Sequence, residues 1–146
     1  MSRVDFYLLK GAQPNGKLIF TARLAGKICR LGHRAYIHAH NEAQAQALDD
    51  LLWTFDQSSF IPHQLADHAS APELITPVVV GFQPPYDFNY NVLISLLEDD
   101  IPDCCREFER VAEIVAPDPQ DKKRARDRFR RYRDLGCDVE THEIAL

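Results

Sequence analysis

Two kinds of regular structure meet in RAYIHAHNEAQAQALDDLLW, residues 34–53, and their order points to the fold. The first seven residues include aromatic and β-branched side chains that favour a β-strand. Asn41 then stands in the position of a helix N-cap, and the Ala and Leu content of the following residues favours a helix that runs to about Trp53. This stretch therefore predicts a strand followed directly by a helix.

The residues before this stretch repeat the same order. VDFYLL (4–9) is a short apolar run typical of a strand, and several turn-forming residues follow it between positions 11 and 16. From 18 to 31 the apolar residues recur at helical spacing, and Gly32 occupies the position of a helix C-terminal glycine. A succession of strand, helix, strand and helix predicts a parallel α/β sheet.

The second half of the chain continues this pattern. Its predicted strands are TPVVVGF (76–82), NVLISL (91–96), RVAEIVA (110–116) and CDVETHEI (137–144). A basic helix that ends at Gly136 precedes the last of them. We therefore predict one three-layer α/β domain over residues 1–146, with a mostly parallel central sheet of about six or seven strands and helices on both faces.

Residue patterns for nucleotide or metal chemistry are weak. The turn KGAQPNGK after the first strand matches neither glycine-rich phosphate-binding motif, and without one LEDD (97–100) is interpreted as a solvated acidic turn. His33, His38 and His40 have a spacing that zinc uses, but such residues more often form the polar edge of a strand. We expect no catalytic, cofactor or metal site.

Composition also restricts the class of protein. No stretch approaches the ~20 apolar residues of a membrane span, and the first residues lack the features of a signal peptide. The four cysteines form no C-x-x-C pair, so we expect reduced thiols and a cytoplasmic protein with no membrane partner. A net charge of −5 argues against a protein that coats DNA with its whole surface.

Positive charge is concentrated in KKRARDRFRRYRDLG, residues 122–136. Eight of the 17 Lys and Arg residues lie between Lys122 and Arg133 with only Asp127 to oppose them, so this segment carries +7. The rest of the chain has nine cations and 21 acidic residues and carries −12. On a helix the segment has two adjacent stripes. The cationic stripe contains Lys122, Arg126, Arg130 and Arg133, and the apolar stripe contains Ala125, Phe129, Tyr132 and Leu135.

Like charges at i, i+4 destabilise a helix unless an anion is supplied. Three sources of negative charge remain open: nucleic-acid phosphate, an acidic segment of a partner, and the acidic remainder of the chain itself. A cationic groove with an aromatic edge also suits a short acidic peptide that carries an aromatic residue and a C-terminal carboxylate.

A second unusual segment is WTFDQSSFIPH, residues 53–63. It contains the large apolar residues Trp53, Phe55, Phe60 and Ile61 between polar turn formers. They either cover the core at the edge of the sheet or form a patch that is buried against a partner.

Several of these residues together resemble the chi subunit family of bacterial DNA polymerase III. They are FYLL near the N-terminus, the W-x6-F-x-P-H pattern that starts at Trp53, and the terminal basic helix. The resemblance covers nearly the full length of the chain. It implies a Rossmann-like fold without a phosphate-binding loop and an accessory protein without catalytic activity.

The resemblance also implies two partners and two sets of residues. One partner is the psi subunit of the clamp-loader assembly, and the other is the acidic, phenylalanine-ending tail of single-stranded-DNA-binding protein, through which DNA is contacted indirectly. The psi-facing positions are Trp53 and Phe60, with Pro62 and His63 as neighbours. The tail-binding positions are Lys122, Arg126, Phe129 and Arg130, with Val115 or Ala116 as apolar wall.

Two other functions remain as alternatives. The basic helix 122–133 could bind single-stranded nucleic acid directly, with Phe129 or Tyr132 as stacking platforms. A metal-dependent hydrolase that uses His33, His38 and His40 would contain stoichiometric zinc.

Overall fold

The structure is a computed structural model that describes residues 2–11, 13–54, 61–66 and 76–145. The elements in these ranges are β1 (Arg3–Lys10), α1 (Gly16–Arg30), β2 (Ala35–His38), α2 (Glu42–Thr54), β3 (His63–Leu65), β4 (Val78–Gly81), β5 (Val92–Ser95), a 3-10 helix (Cys105–Glu107), β6 (Arg110–Val115), α3 (Pro119–Asp134) and β7 (Asp138–Ala145).

The strands form one sheet in the order β3-β4-β2-β5-β6-β1-β7, and every neighbouring pair is parallel. Helices α1 and α2 pack on one face, and α3 packs on the other. The prediction of a three-layer α/β fold with helices on both faces is therefore confirmed. Strands β3 and β7 are the two edges of the sheet.

The inner strands β4 and β5 are almost entirely apolar, as expected of strands whose two faces are both covered. Val78, Val79 and Val80 of β4 are all buried, with alternate residues in the two opposite cores. One core joins the sheet to α1 and α2, and the other joins it to α3. The second core positions the helix that carries most of the positive charge.

Local signals explain where the helices begin and end. The Asn41 Oδ1 atom accepts a hydrogen bond of 2.8 Å from the backbone N–H of Gln44, as expected of a helix N-cap. Asp118 caps α3 in the same way, through a 2.9 Å bond from the backbone N–H of Gln120. Gly136 adopts a φ of 83°, the left-handed conformation that terminates many helices.

Strand β3 was not among the strands predicted from the sequence. It has three residues and begins directly after Pro62, which donates no backbone hydrogen bond, so an edge position suits it. Phe55 and Phe60 lie outside the described residues. None of the described helices is both long and apolar enough to cross a lipid bilayer.

Candidate peptide-binding site

Helix α3 is held at its start by a buried carboxylate. Asp121 is 3% exposed, and its Oδ2 atom accepts a hydrogen bond of 2.7 Å from the backbone N–H of Ala116. The Nζ atom of Lys17, on α1, lies 3.3 Å from the same oxygen. These contacts connect the end of β6 to the first turn of α3 and fix the orientation of the helix on the sheet.

A second buried network holds the middle of α3. Arg128 is fully buried, and its Nε atom lies 3.2 Å from Oε1 of Glu113 on β6. The Arg128 Nη1 atom donates a hydrogen bond of 2.6 Å to the carbonyl oxygen of Glu98. Burial raises the pKa of Glu113 to about 7, although the charge of Arg128 and the Tyr132 hydroxyl oppose this shift. The network holds α3 against the sheet in one rotational position about the helix axis.

The acidic turn LEDD neutralises one side of α3. The Arg124 Nη1 atom lies 3.6 Å from Oε2 of Glu98, and Arg131 pairs with Asp100. A backbone hydrogen bond at Ile101, together with Arg131, holds the pKa of Asp100 below its usual value. The interpretation of LEDD as a solvated turn therefore missed a role: its residues bind arginines of α3 that the sequence alone left without anions.

The opposite side of α3 forms a groove with the edge of the sheet. The groove encloses about 240 Å³. It is lined by Phe6, Leu8, Leu9 and Lys10 of β1, Val115 of β6, Lys122, Ala125, Arg126 and Phe129 of α3, and Thr141 and Glu143 of β7. Its floor is apolar, and the rings of Phe6 and Phe129 lie 5.6 Å apart between centroids.

Two cations at the rim of this groove have no acidic partner among the residues that the structure describes. Lys122 and Arg126 are exposed, and in the described part of the chain no carboxylate oxygen lies within 4.0 Å of their charged nitrogens. Within the described ranges, the acidic turn thus neutralises one side of α3, and Lys122 and Arg126 on the side next to the groove stay without a carboxylate partner. This arrangement suits a ligand that combines carboxylates with an apolar group.

Four of the six residues assigned to tail binding from the sequence line this groove: Val115, Lys122, Arg126 and Phe129. Arg130 does not line it and lies 3.6 Å from Asp127. Ala116 lines a neighbouring hollow beside Lys17. The β1 and β7 residues of the groove were missed, because only the strand order shows that these strands lie beside α3.

The two predicted stripes of α3 are mostly present. The cationic stripe is exposed along its whole length. Ala125 and Tyr132 are buried and Phe129 is half-buried, as the apolar stripe predicts, but Leu135 is 38% exposed because it lies just beyond the end of the helix. Tyr132 is fully buried, so the prediction that it could serve as a stacking platform for nucleic acid is wrong.

The described residues among those assigned to psi, Trp53, Pro62 and His63, lie at the other edge of the sheet. Trp53, at the end of α2, is 57% exposed, and its ring lies 4.6 Å from that of His63 in an edge-to-face arrangement. His63 is buried, with Nε2 3.3 Å from Oδ1 of Asp49. Pro62 is half-buried beside it, and Phe60 lies outside the described residues. Ile61, in contrast, packs in the core, so the segment contributes both to the core and to the surface.

The two candidate surfaces are therefore far apart. Six strand-to-strand steps separate β3 from β7, and at about 4.8 Å a step the two edges are about 29 Å apart. Ligands at the two edges do not compete for the same residues.

The histidines considered for zinc do not form a metal site with one another. Among the described residues, the single cluster with suitable spacing consists of Asp5, Glu140 and His142. Arg3 and Arg110 lie 3.2 and 3.0 Å from the Asp5 carboxylate, so guanidinium groups already supply the positive charge there. Burial alone would raise the pKa of Asp5, but hydrogen bonds from His142 and Arg110 lower it below its usual value.

Comparison with known proteins bears on the identity of the chain. The family model of the DNA polymerase III chi subunit, HolC, matches residues 1–140. The chain belongs to the DNA polymerase III chi subunit family. Members of this family are accessory subunits of the polymerase and are not catalytic themselves. The resemblance inferred from the sequence is thus confirmed.

Individual chi subunits are similar to this chain over most of its length. The DNA polymerase III subunit chi of Pseudomonas aeruginosa is 38% identical over 144 residues, which cover 99% of this chain and 98% of that protein. The chi subunit of Haemophilus influenzae is 30% identical over 83% of each chain, and that of Escherichia coli is 28% identical over 97% of each. The similarity to chi subunits therefore includes both edges of the sheet.

Proposed function

We propose that this chain is a cytoplasmic replication adaptor that links the psi subunit to the acidic C-terminal tail of single-stranded-DNA-binding protein. The observation that carries the proposal is the groove beside α3, with an apolar floor and two rim cations, Lys122 and Arg126, that lack acidic partners among the described residues. Membership of the chi family supports the same role in the polymerase assembly.

The groove matches each chemical group of such a tail. A terminal phenylalanine ring packs against Phe6 and Phe129, and carboxylates pair with Lys122 and Arg126. A charge-assisted hydrogen bond contributes roughly 1.5–3 kcal/mol when sheltered and much less when exposed. Because these cations are exposed, the affinity is modest and decreases with salt.

The edge formed by the end of α2 and by β3 is the proposed psi surface. Trp53 has a large, exposed aromatic side chain there, and its ring packs against the buried ring of His63. Exposed tryptophans are frequent among the residues that dominate the binding energy of protein interfaces. The distance of about 29 Å between the edges allows both partners to be bound at the same time.

A peptide titration tests the tail site directly. A fluorescent acidic peptide that ends in phenylalanine is added to the purified chain at fixed moderate salt, and the same peptide with an amidated C-terminus is the control. We expect saturable binding that amidation weakens strongly. If neither peptide binds, the groove is not a tail site.

Direct binding of single-stranded nucleic acid is the competing function, and the structure disfavours it. The acidic turn compensates Arg124 and Arg131, and Glu113 compensates Arg128, so three of the eight cations between Lys122 and Arg133 are already paired within the chain. A bare oligonucleotide that bound with a steep salt dependence in the absence of peptide would favour this alternative.

A further inference from the structure

The groove contains an acidic side chain of the chain itself. Glu143 of β7 lines the groove, and its Oε1 atom lies 3.2 Å from Nζ of Lys10, the last residue of β1. The side chains of Lys10 and Glu143 are 57% and 70% exposed. An exposed ion pair of this kind is weak and exchanges partners easily.

Lys10 lies at the cationic end of the groove. Lys122 is in the first turn of α3, which follows the carboxyl end of β6, and Lys10 ends the neighbouring parallel strand β1. Phe6 precedes Lys10 by four residues, which is about 13 Å along an extended strand. The groove therefore has an aromatic part near Phe6 and Phe129 and a cationic part about four extended residues away.

We propose that Lys10 is a third cation of the tail site and that Glu143 is a built-in competitor for it. In the unbound chain Glu143 pairs with Lys10, and in the complex an acidic side chain of the peptide displaces Glu143 and takes its place. The inference rests on the proposed function of the groove as a site for an acidic tail.

Spacing assigns Lys10 to a particular part of the peptide. If the terminal ring packs against Phe6 and Phe129, a group about 13 Å away is an acidic side chain about four residues before the ring. The terminal carboxylate stays near the ring. Glu143 therefore lowers the affinity for acidic side chains and leaves recognition of the C-terminus unchanged.

Four variants test this competition in the same peptide titration. Glu143→Gln tightens binding by roughly two- to fivefold, because it releases Lys10 and removes a negative charge from the groove. Lys10→Met weakens binding by a similar factor. Glu143→Gln gains less in a Lys10→Met background, since the two residues act through one contact. Glu140→Gln is the matched control: it removes the same charge from the opposite face of β7, and we expect unchanged affinity.

A second peptide separates the two parts of the site. Asparagine replaces every acidic residue of this peptide, but the terminal phenylalanine and its free carboxylate are kept, and we expect it to bind Glu143→Gln and the unsubstituted chain equally well. If Glu143→Gln and Lys10→Met leave the affinity for the acidic peptide unchanged while Arg126→Ala weakens it, the competition is refuted and the tail site stands. If the unsubstituted chain binds neither peptide, both proposals fail.

Discussion

The hydroxyl of Tyr132 donates a hydrogen bond of 2.6 Å to Oε2 of Glu113, while Oε1 of the same carboxylate faces Arg128. Tyr132 and Arg128 are four residues apart and therefore lie on one side of α3. Both are fully buried. One carboxylate on β6 thus fixes the rotation of α3 about its axis, and this rotation determines which residues of the helix face the groove.

Arg128→Met is expected to destabilise the fold by about 3 kcal/mol, because it leaves Glu113 buried without its cation. Urea unfolding at pH 8, where Glu113 is mostly ionised in the unsubstituted chain, measures the change. Arg133→Met is the matched control on the same helix; its side chain is exposed, so its effect should stay within about 0.5 kcal/mol. Equal stability of the two variants would show that the buried pair does not hold the helix.

Stability is expected to depend on pH through Glu113. The pKa of this group is about 7 in the folded chain and about 4.3 in an unfolded one. The folded state therefore binds more protons between these values, and the contribution of Glu113 to the free energy of unfolding decreases as pH rises from about 4.3 to about 7.

Glu113→Gln removes this titration. Unfolding free energies of the variant and of the unsubstituted chain, measured at pH 5 and pH 8, should show that the variant loses less stability over this interval. Asp5 does not interfere there, because its lowered pKa places its own titration below this range. Parallel pH profiles for the two proteins would contradict a raised pKa of Glu113.

Arg126→Ala is expected to weaken binding of the acidic tail peptide at least about tenfold, because it removes a charge-assisted contact that the bound peptide would shelter from water. The fold should stay intact, because the Arg126 side chain is exposed in the free chain. Arg133→Ala removes the same charge from the same helix but lies outside the groove, so it should retain most of the affinity. A thermal melt of both variants checks folding. An equal loss of affinity in the two variants would mean that the overall positive charge of α3, and not the groove, attracts the peptide.

Trp53→Ala is expected to weaken psi binding by more than about tenfold, as exposed interface tryptophans commonly do, without loss of tail binding. The two edges of the sheet are separate, so the tail titration serves as an internal control for folding. Pull-down or calorimetry with psi measures the effect. If the variant unfolds instead, Trp53 stabilises the fold at the edge of the sheet and is not primarily a psi contact.

Whether a feature of this structure can be predicted depends on how far apart in the sequence its interacting residues lie. Strand β4 and the caps at Asn41 and Gly136 follow from neighbouring residues, and all are present in the structure. The pairing of Arg128 with Glu113 joins different elements and was not predicted. A signal existed, since Glu113 is the one charged residue among the otherwise apolar residues that follow Arg110 in this strand.

The groove was also predicted only in part, because it joins residues of different elements. Its α3 residues were predicted because they lie on one helix, and periodicity identifies such a face. Lys10 and Glu143 lie on the first and last strands and became neighbours only because β7 pairs with β1. Local sequence patterns carry no information about that pairing.

The unequal lengths of the two edge strands have a mechanical consequence. A partner pulling at each edge would load the sheet across its strands, so that the hydrogen bonds between strands carry the tension. Strand β7 is in register with β1 over eight residues, whereas β3 is in register with β4 over only three. Under such tension the β3 edge yields first, and the groove beside β7 keeps its shape after the link through the other edge has broken.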